Sequence, residues 1–379
     1  MPLPSAIPLG YLCTFAVSFV ISAGLVATKS RHLHRTARQD DSTAVQAAHL
    51  VATPRIGGLA VVIAFAAAVL WFAPPGLHAQ FALFLLSIIP VTAAGLAEDI
   101  GFRVSPRGRL VAAALSSLAA VALLQIWLTR SHMPGLDLLL LAPPIAILFT
   151  IFAVTGICHA INLIDGVNGL AAITSILIAL GLGTICLEAG LRDLSVAALL
   201  VVPAVLGFFL FNFPTGKIFL GDGGAYTLGH VLGWIAILTI QSSPEVTPWA
   251  VLLVFFWPVA DTGLAIYRRK RAGRPTNQPD RLHFHQLVMR ALELKVVGRQ
   301  QRALSNPLTT LILTPLISGP VLCGIWFWNR PLYAFAALVM FTLLFGATYR
   351  IGIAHAKSRG LPIRRPVGLA PKPARINQI

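Results

Sequence analysis

Glu98 and Asp99 set two carboxylates side by side, followed closely by Ser105-Pro106-Arg107. Adjacent carboxylates repel, and beside a membrane both stay ionised only next to cations or a metal ion. One can then serve as general base while the other orients it or touches a metal. The plainer account is a solvated pair balanced by Arg103 and Arg107. A second segment, Asn162-Leu163-Ile164-Asp165-Gly166-Val167-Asn168-Gly169-Leu170, repeats a polar residue every third position. Such spacing suits a sharp turn whose carboxamides and carboxylate face one ligand, and an Asx-turn joining two helices is the alternative. A third, Lys217-Ile218-Phe219-Leu220-Gly221-Asp222-Gly223-Gly224, offers a point charge for a phosphate and a hard oxygen of the kind Mg²⁺ prefers. Its glycines clear space at a helix start, where amide groups favour an anion.

Further segments add cations. Thr53-Pro54-Arg55-Ile56-Gly57-Gly58 has paired glycines that let backbone approach a ligand, and Arg55 could meet a phosphate. A helix-start turn with a snorkelling Arg would look the same. Asp280-Arg281-Leu282-His283-Phe284-His285 could grip a pyrophosphate through Arg281, His283 and His285. Zinc is disfavoured there, because no cysteine or further carboxylate clusters nearby. Asp261 either pairs with the basic run from Arg268 or belongs to the site.

The elements that must position these residues are membrane spans. The chain has 379 residues, 56% apolar and 11% charged. Soluble domains carry about 25% charged residues, and a span needs about 20 apolar residues. Apolar runs fall near 6–27, 56–73, 77–97, 110–129, 139–160, 169–187, 194–213, 223–241, 248–267, 308–328 and 332–350. The expected fold is therefore an all-α integral membrane protein, a polytopic bundle of about eleven transmembrane helices. Residues 1–350 form a single catalytic domain, with cytoplasmic loops near 28–55, 98–109, 161–168, 214–222 and 268–307. Residues 351–379 read as a basic, Pro-rich, disordered tail lying against anionic lipid. No cation precedes the first run, which argues for a retained span rather than a cleaved signal. The four cysteines lie far apart in apolar stretches, so redox chemistry and a structural zinc site are disfavoured.

Charge fixes the expected orientation. With the N-terminus outside and the C-terminus cytoplasmic, every one of the 29 Lys and Arg except Arg130, Arg192 and Arg330 lies on the inner side, as the positive-inside rule requires. The net charge of +16 then reads as attraction to a lipid surface, not to nucleic acid, for which no folded soluble part remains. Glu98, Asp99, Asp165, Asp222 and Asp261 all fall at or near inner helix ends, where acids are costly unless paired or metal-bound. Metal-binding oxygens, a candidate base and a ring of cations on one membrane face suit phosphoryl transfer between a nucleotide-activated donor and a lipid-borne phosphate.

From about His49 to His285 the sequence resembles the polyprenyl-phosphate N-acetylhexosamine-1-phosphate transferases, whose members include phospho-N-acetylmuramoyl-pentapeptide transferase. Glu98-Asp99 matches that family's Asp-Asp motif, Asn162 to Leu170 its Asn-x-x-Asp-Gly-x-Asp-Gly-Leu motif, Phe219 to Gly224 its Phe-x-Gly-Asp-x-Gly motif, and Asp280 to Gln286 its His-rich loop. Pro54 to Gly58 and the Asp-Arg-x-His loop favour the N-acetylglucosamine-type branch. The resemblance implies Mg²⁺-dependent attack of polyprenyl (undecaprenyl) phosphate on a UDP-N-acetylhexosamine, giving polyprenyl-diphospho-sugar and UMP at the cytoplasmic face of a bacterial plasma membrane. This would be the first membrane step of a cell-surface polysaccharide. Mn²⁺ is the alternative ion, and a homodimer is compatible with the family.

By the same resemblance Asn162 and Asp222 hold the metal, Asp99 with Glu98 beside it is the base, and Asp165 joins the catalytic set. Asn168 and Lys217 contact the donor, Arg55 and Asp261 belong to the substrate site, and Arg281, His283 and His285 close over the diphosphate. Glu98, His159, Asn168, Ala225 and Gln286 depart from the usual Asp, Asn, Asp, Ser and His, changes that bear on donor identity. Two rivals stand beside this reading: a secondary transporter, and an inactive relative acting as a lipid-binding scaffold. No Asp, Glu, Lys or Arg lies at a span centre as a transporter would require, and Glu98-Asp99, Asp165 and Asp222 are all retained.

Overall fold

The computed structural model describes residues 6–36, 53–72, 78–273, 282–298 and 301–358. Among them every regular element is helical: α1 (Ala6–Ala27), α2 (Lys29–Thr36), α3 (Gly58–Phe72), α4 (His78–Asp99), α5 (Pro106–Leu124), α6 (Pro134–Leu140), α7 (Pro143–Ile164), α8 (Leu170–Glu188), α9 (Arg192–Asn212), α10 (Gly221–Ser242), α11 (Pro248–Val254), α12 (Phe256–Arg271), α13 (Phe284–Lys295), α14 (Arg302–Trp326) and α15 (Pro331–Ser358). Nine of the described helices are long and apolar enough to cross a membrane, α11 and α12 form a bent pair, and α3 is a shorter apolar helix. The protein is a multi-pass membrane bundle.

α10 runs through its centre. Every residue from Gly221 to Ile240 is buried, and its mean hydropathy of 1.4 is the lowest of the nine. These facts belong together, because a helix that never meets lipid need not be uniformly apolar. Small residues let its neighbours approach: a side chain at Gly229 would run into the backbone of Cys158 on α7. Such close packing is how helices associate where lipid is as apolar as the side chains. Several polar groups between the helices pair with one another, as backbone and side-chain donors in hydrocarbon must where they can. Thr92 and Thr227 share a 2.7 Å hydrogen bond between α4 and α10. Pro90 interrupts α4, and Ser116 accepts the Val91 amide at 2.9 Å.

Two expectations change. The run 248–267 is not one straight span, because α11 and α12 meet at 82°. Pro258 has no amide hydrogen, and its ring would clash with the carbonyl of Val254, the last residue of α11, so the helix breaks there. Residues 351–358 continue α15, and the rest of the predicted tail lies outside the described residues.

Candidate active site

The site forms where the end of α4 meets the start of α10. Residues 54–58 run alongside 219–220: the Phe219 amide donates to the Pro54 carbonyl (2.8 Å), that of Gly57 to Phe219 (2.9 Å) and that of Gly58 to Leu220 (2.8 Å). The Arg55 segment is thus laced to the Asp222 segment rather than being an isolated turn. Gly58 packs on Gly224 and Gly95 on Gly223, with no room for a Cβ at either. Gly221 has φ +75, and a Cβ on it would overlap the Arg55 carbonyl and the Asp99 carboxylate. Only glycine meets both demands.

These contacts set the charges. Asp99 accepts the amides of Asp222 and Gly223 at 2.9 and 2.8 Å. Arg55 bridges the two acids, its Nε 3.8 Å from Asp99 and its Nη2 3.4 Å from Asp222. Arg109, in the first turn of α5, pairs with the other oxygen of Asp222. Asn162 donates its Nδ2 to Asp222 at 3.1 Å. Glu98 lies within electrostatic reach of Arg109. Asp165 follows the last turn of α7. Burial raises its pKa to about 7, with the Arg55 charge lowering it, the Asp222 charge raising it and the Gly221 amide lowering it. Asp99, Asp165 and Asp222 therefore converge at one end of the bundle.

The His loop docks on the same end. Asp261 on α12 accepts the Phe284 amide at 3.0 Å and the His283 Nδ1 proton at 3.1 Å, while His285 Nδ1 lies 3.8 Å away. His285 is 1% exposed, and its Nε2 lies 3.2 Å from where a Cβ on Gly166 would sit, against the Asp165 turn. Its burial lowers the pKa, with Asp261 acting in the opposite direction. Asp261 thus serves the His loop. Arg268 holds that loop from another side, donating to the Leu282 carbonyl at 3.0 Å and the Tyr349 hydroxyl at 2.7 Å.

Among the remaining predicted residues, one is tied into the fold, one stands exposed, and one lies outside the described residues. Asn168 is a buried tie: its Nδ2 donates to the Pro214 carbonyl (2.8 Å), its amide to Asn306 (2.8 Å), and its carbonyl accepts from Thr310 (2.6 Å). Lys217 is exposed and makes no ion pair among the described residues. Arg281 lies outside the described residues. Arg109 carried no motif of its own. The signal was the trio Arg103, Arg107 and Arg109 after Glu98-Asp99, but the two expected as counter-charges are exposed, and the third turns inward. Asn212, which accepts the Gly169 amide at 2.6 Å and fixes the second motif, had no readable signal.

Among the described residues no group of three or more His, Cys, Asp and Glu could hold a metal ion. What the site does offer is one carboxylate, Asp222, with the Asn162 carboxamide beside it. That donor set fits an ion taking one or two protein oxygens and completing its shell with water and substrate phosphates, as Mg²⁺ does. Arg55, Arg109 and the start of α10 supply positive potential for polyanionic ligands.

Comparison with known proteins agrees with this geometry. Residues 81–240 match the description of glycosyl transferase family 4. The chain is 30% identical over 313 residues to the decaprenyl-phosphate N-acetylglucosaminephosphotransferase of Mycobacterium leprae, covering 73% of this chain and 75% of that protein. It is 26% identical to the undecaprenyl-phosphate alpha-N-acetylglucosaminyl 1-phosphate transferase of Yersinia pestis, covering 74% and 76%. A probable undecaprenyl-phosphate N-acetylglucosaminyl 1-phosphate transferase of Bacillus subtilis is 33% identical, and there the match spans 37% of this chain and only 39% of the relative's length. With the matched region spanning α4 to α10, where Asp99 and Asp222 meet, the chain belongs to glycosyl transferase family 4.

Proposed function

We propose that this protein transfers an N-acetylhexosamine-1-phosphate, of the N-acetylglucosamine type, from a UDP-sugar to polyprenyl phosphate, releasing UMP. The observation that carries the reading is the convergence of Asp222 with Arg55, Arg109 and Asn162 at one end of a membrane bundle. Two polyanions must meet there, and the cations offset their repulsion while the fixed dipoles stabilise charge on the transferring phosphoryl group. The names of the Mycobacterium and Yersinia relatives support the same donor group and acceptor class.

Asp222 and Asn162 would hold Mg²⁺, or Mn²⁺ in its place, which when bound neutralises phosphate charge and acts as a Lewis acid at phosphorus. Arg55 and Arg109 orient the phosphates. Asp99 positions Asp222 through the backbone. Asp165, with a pKa near neutrality, has the proton affinity to receive a proton from the acceptor phosphate. The His283–His285 loop packs over the Asp165 turn and limits water at the reacting groups. The distribution of Lys and Arg supports a site on the cytoplasmic face of a bacterial inner membrane.

Purified full-length protein, given UDP-N-acetylglucosamine, polyprenyl phosphate and Mg²⁺, should release UMP. Omitting the lipid phosphate or adding excess chelator should stop release, and Mg²⁺ should restore it. UMP formed at the same rate without lipid phosphate would overturn the reading.

A further inference from the structure

The site has a second layer, one turn closer to the bilayer core. His159 precedes Asn162 by three residues on α7, and Tyr226 follows Asp222 by four on α10, so the pair sits about 4–6 Å deeper at 1.5 Å per residue. Their rings meet edge to face at 4.9 Å. His159 lies within electrostatic reach of Arg109 and Asp222. Its Nε2 is buried with no hydrogen-bond partner among the described residues, and so is the Nε of Arg109. Two polar atoms left unsatisfied beside the phosphate-binding cluster mark a place completed by something brought to it.

The surroundings show from which side it comes. Phe152, Gly156, His159 and Leu163 fall at helical spacing on one stripe of α7. Phe152 is 73% exposed, Gly156 is exposed, and a Cβ built on Gly156 meets nothing within 4 Å. His159 therefore stands at the site end of a stripe open to lipid. Asp165, just past the end of α7, and His285, on α13, lie on the loop side of the cluster.

Resting on the proposed transferase reading, we infer that His159 is a further substrate contact, its imidazole hydrogen-bonding the phosphate of the lipid-borne acceptor rather than the nucleotide donor. The phosphate arrives along the α7 stripe past Gly156, and the imidazole N–H donates to it while Arg109 supplies charge. The contact is specific to the acceptor because the soluble donor does not approach from that depth.

The test uses the full-length protein in detergent with two variants. H159F keeps an aromatic ring against Tyr226 but has no nitrogen, and H159Q restores a donor without the ring. UMP release is measured while varying polyprenyl phosphate and UDP-N-acetylglucosamine separately. Binding of polyprenyl phosphate alone is followed by intrinsic tryptophan fluorescence. H159F should raise the acceptor KM and weaken acceptor binding about tenfold, as expected for one hydrogen bond to a charged group. The donor KM should not change, and H159Q should recover most of the loss. An unchanged acceptor KM in H159F, or a rise confined to the donor KM, would overturn the inference. Should the wild-type protein release no UMP, the transferase reading falls, and the binding comparison still decides the His159 contact. Should H159F fail to fold, H159Q decides it: near wild-type acceptor binding supports the contact, and a loss as large as tenfold overturns it.

Discussion

Asp99 accepts the backbone amide of Asp222 across 123 residues of sequence, at 2.9 Å, while its other oxygen takes the amide of Gly223. A carboxylate on one helix thereby caps the first turn of another. It satisfies orphan amides that would otherwise be buried and fixes where Asp222 begins. Asp99→Asn would turn an NH₂ group toward one of those amides. We expect a loss of about 1–3 kcal/mol in stability, the cost of one unsatisfied buried group. The displaced Asp222 should slow UMP release on the order of 100-fold. Thermal denaturation and steady-state rates check both, and an unaltered melting temperature with full activity would remove the capping role.

Arg109 is the counter-charge that the tertiary structure selects for Asp222. Removing it as Arg109→Ala should lower the rate roughly 100-fold or more, the scale for losing one preorganised electrostatic contact. Arg103→Ala and Arg107→Ala, both at exposed positions, should change little. Parallel rate measurements on the three variants separate a specific partner from a general loss of positive charge.

Asn168→Asp tests the buried tie. Aspartate cannot donate to the Pro214 carbonyl, so two acceptors would face each other in a site only 5% exposed. The expected outcome is destabilisation of about 1–3 kcal/mol, measured by thermal unfolding, with any loss of activity following from the shifted turn. A more stable or more active variant would mean that Asn168 serves a ligand instead.

Gly221→Ala places a Cβ where the Arg55 carbonyl and Asp99 carboxylate already lie, on a backbone with φ +75. Strain of about 1–3 kcal/mol for the dihedral alone, plus the overlap, should abolish activity and lower the yield of folded protein. Gly263→Ala, where a Cβ meets nothing within 4 Å, should leave yield and activity unchanged. Size-exclusion profiles and UMP release compare the two.

The expectations most secure from sequence were those carried by local composition. Apolar runs matched helices because burial in lipid is read residue by residue along each run. Short motifs with Gly beside Asp marked the cluster because several fell, in order, at inner span ends; any one alone would be a common turn. The run 248–267 misled because apolar composition does not register the missing amide of Pro258 and its clash with Val254.

By itself, then, the sequence determined a helical membrane bundle and the segments Arg55, Asp99, Asn162, Asp165, Asp222 and Asp261 around which its site would be built. Only the tertiary structure decided their duties: Arg109 rather than Arg103 or Arg107 beside Asp222, Asn168 as a tie, Asp261 as the anchor of the His loop, and His159 one turn deeper with an unpaired nitrogen. The physical reason is distance along the chain. Hydropathy is a property of neighbours in sequence, whereas Asp222 meets Arg55 across 167 residues and Asp99 across 123. Which side chains meet over such spans is set by how closely backbones pack, here by Gly58 on Gly224 and Gly95 on Gly223, and no local pattern encodes that.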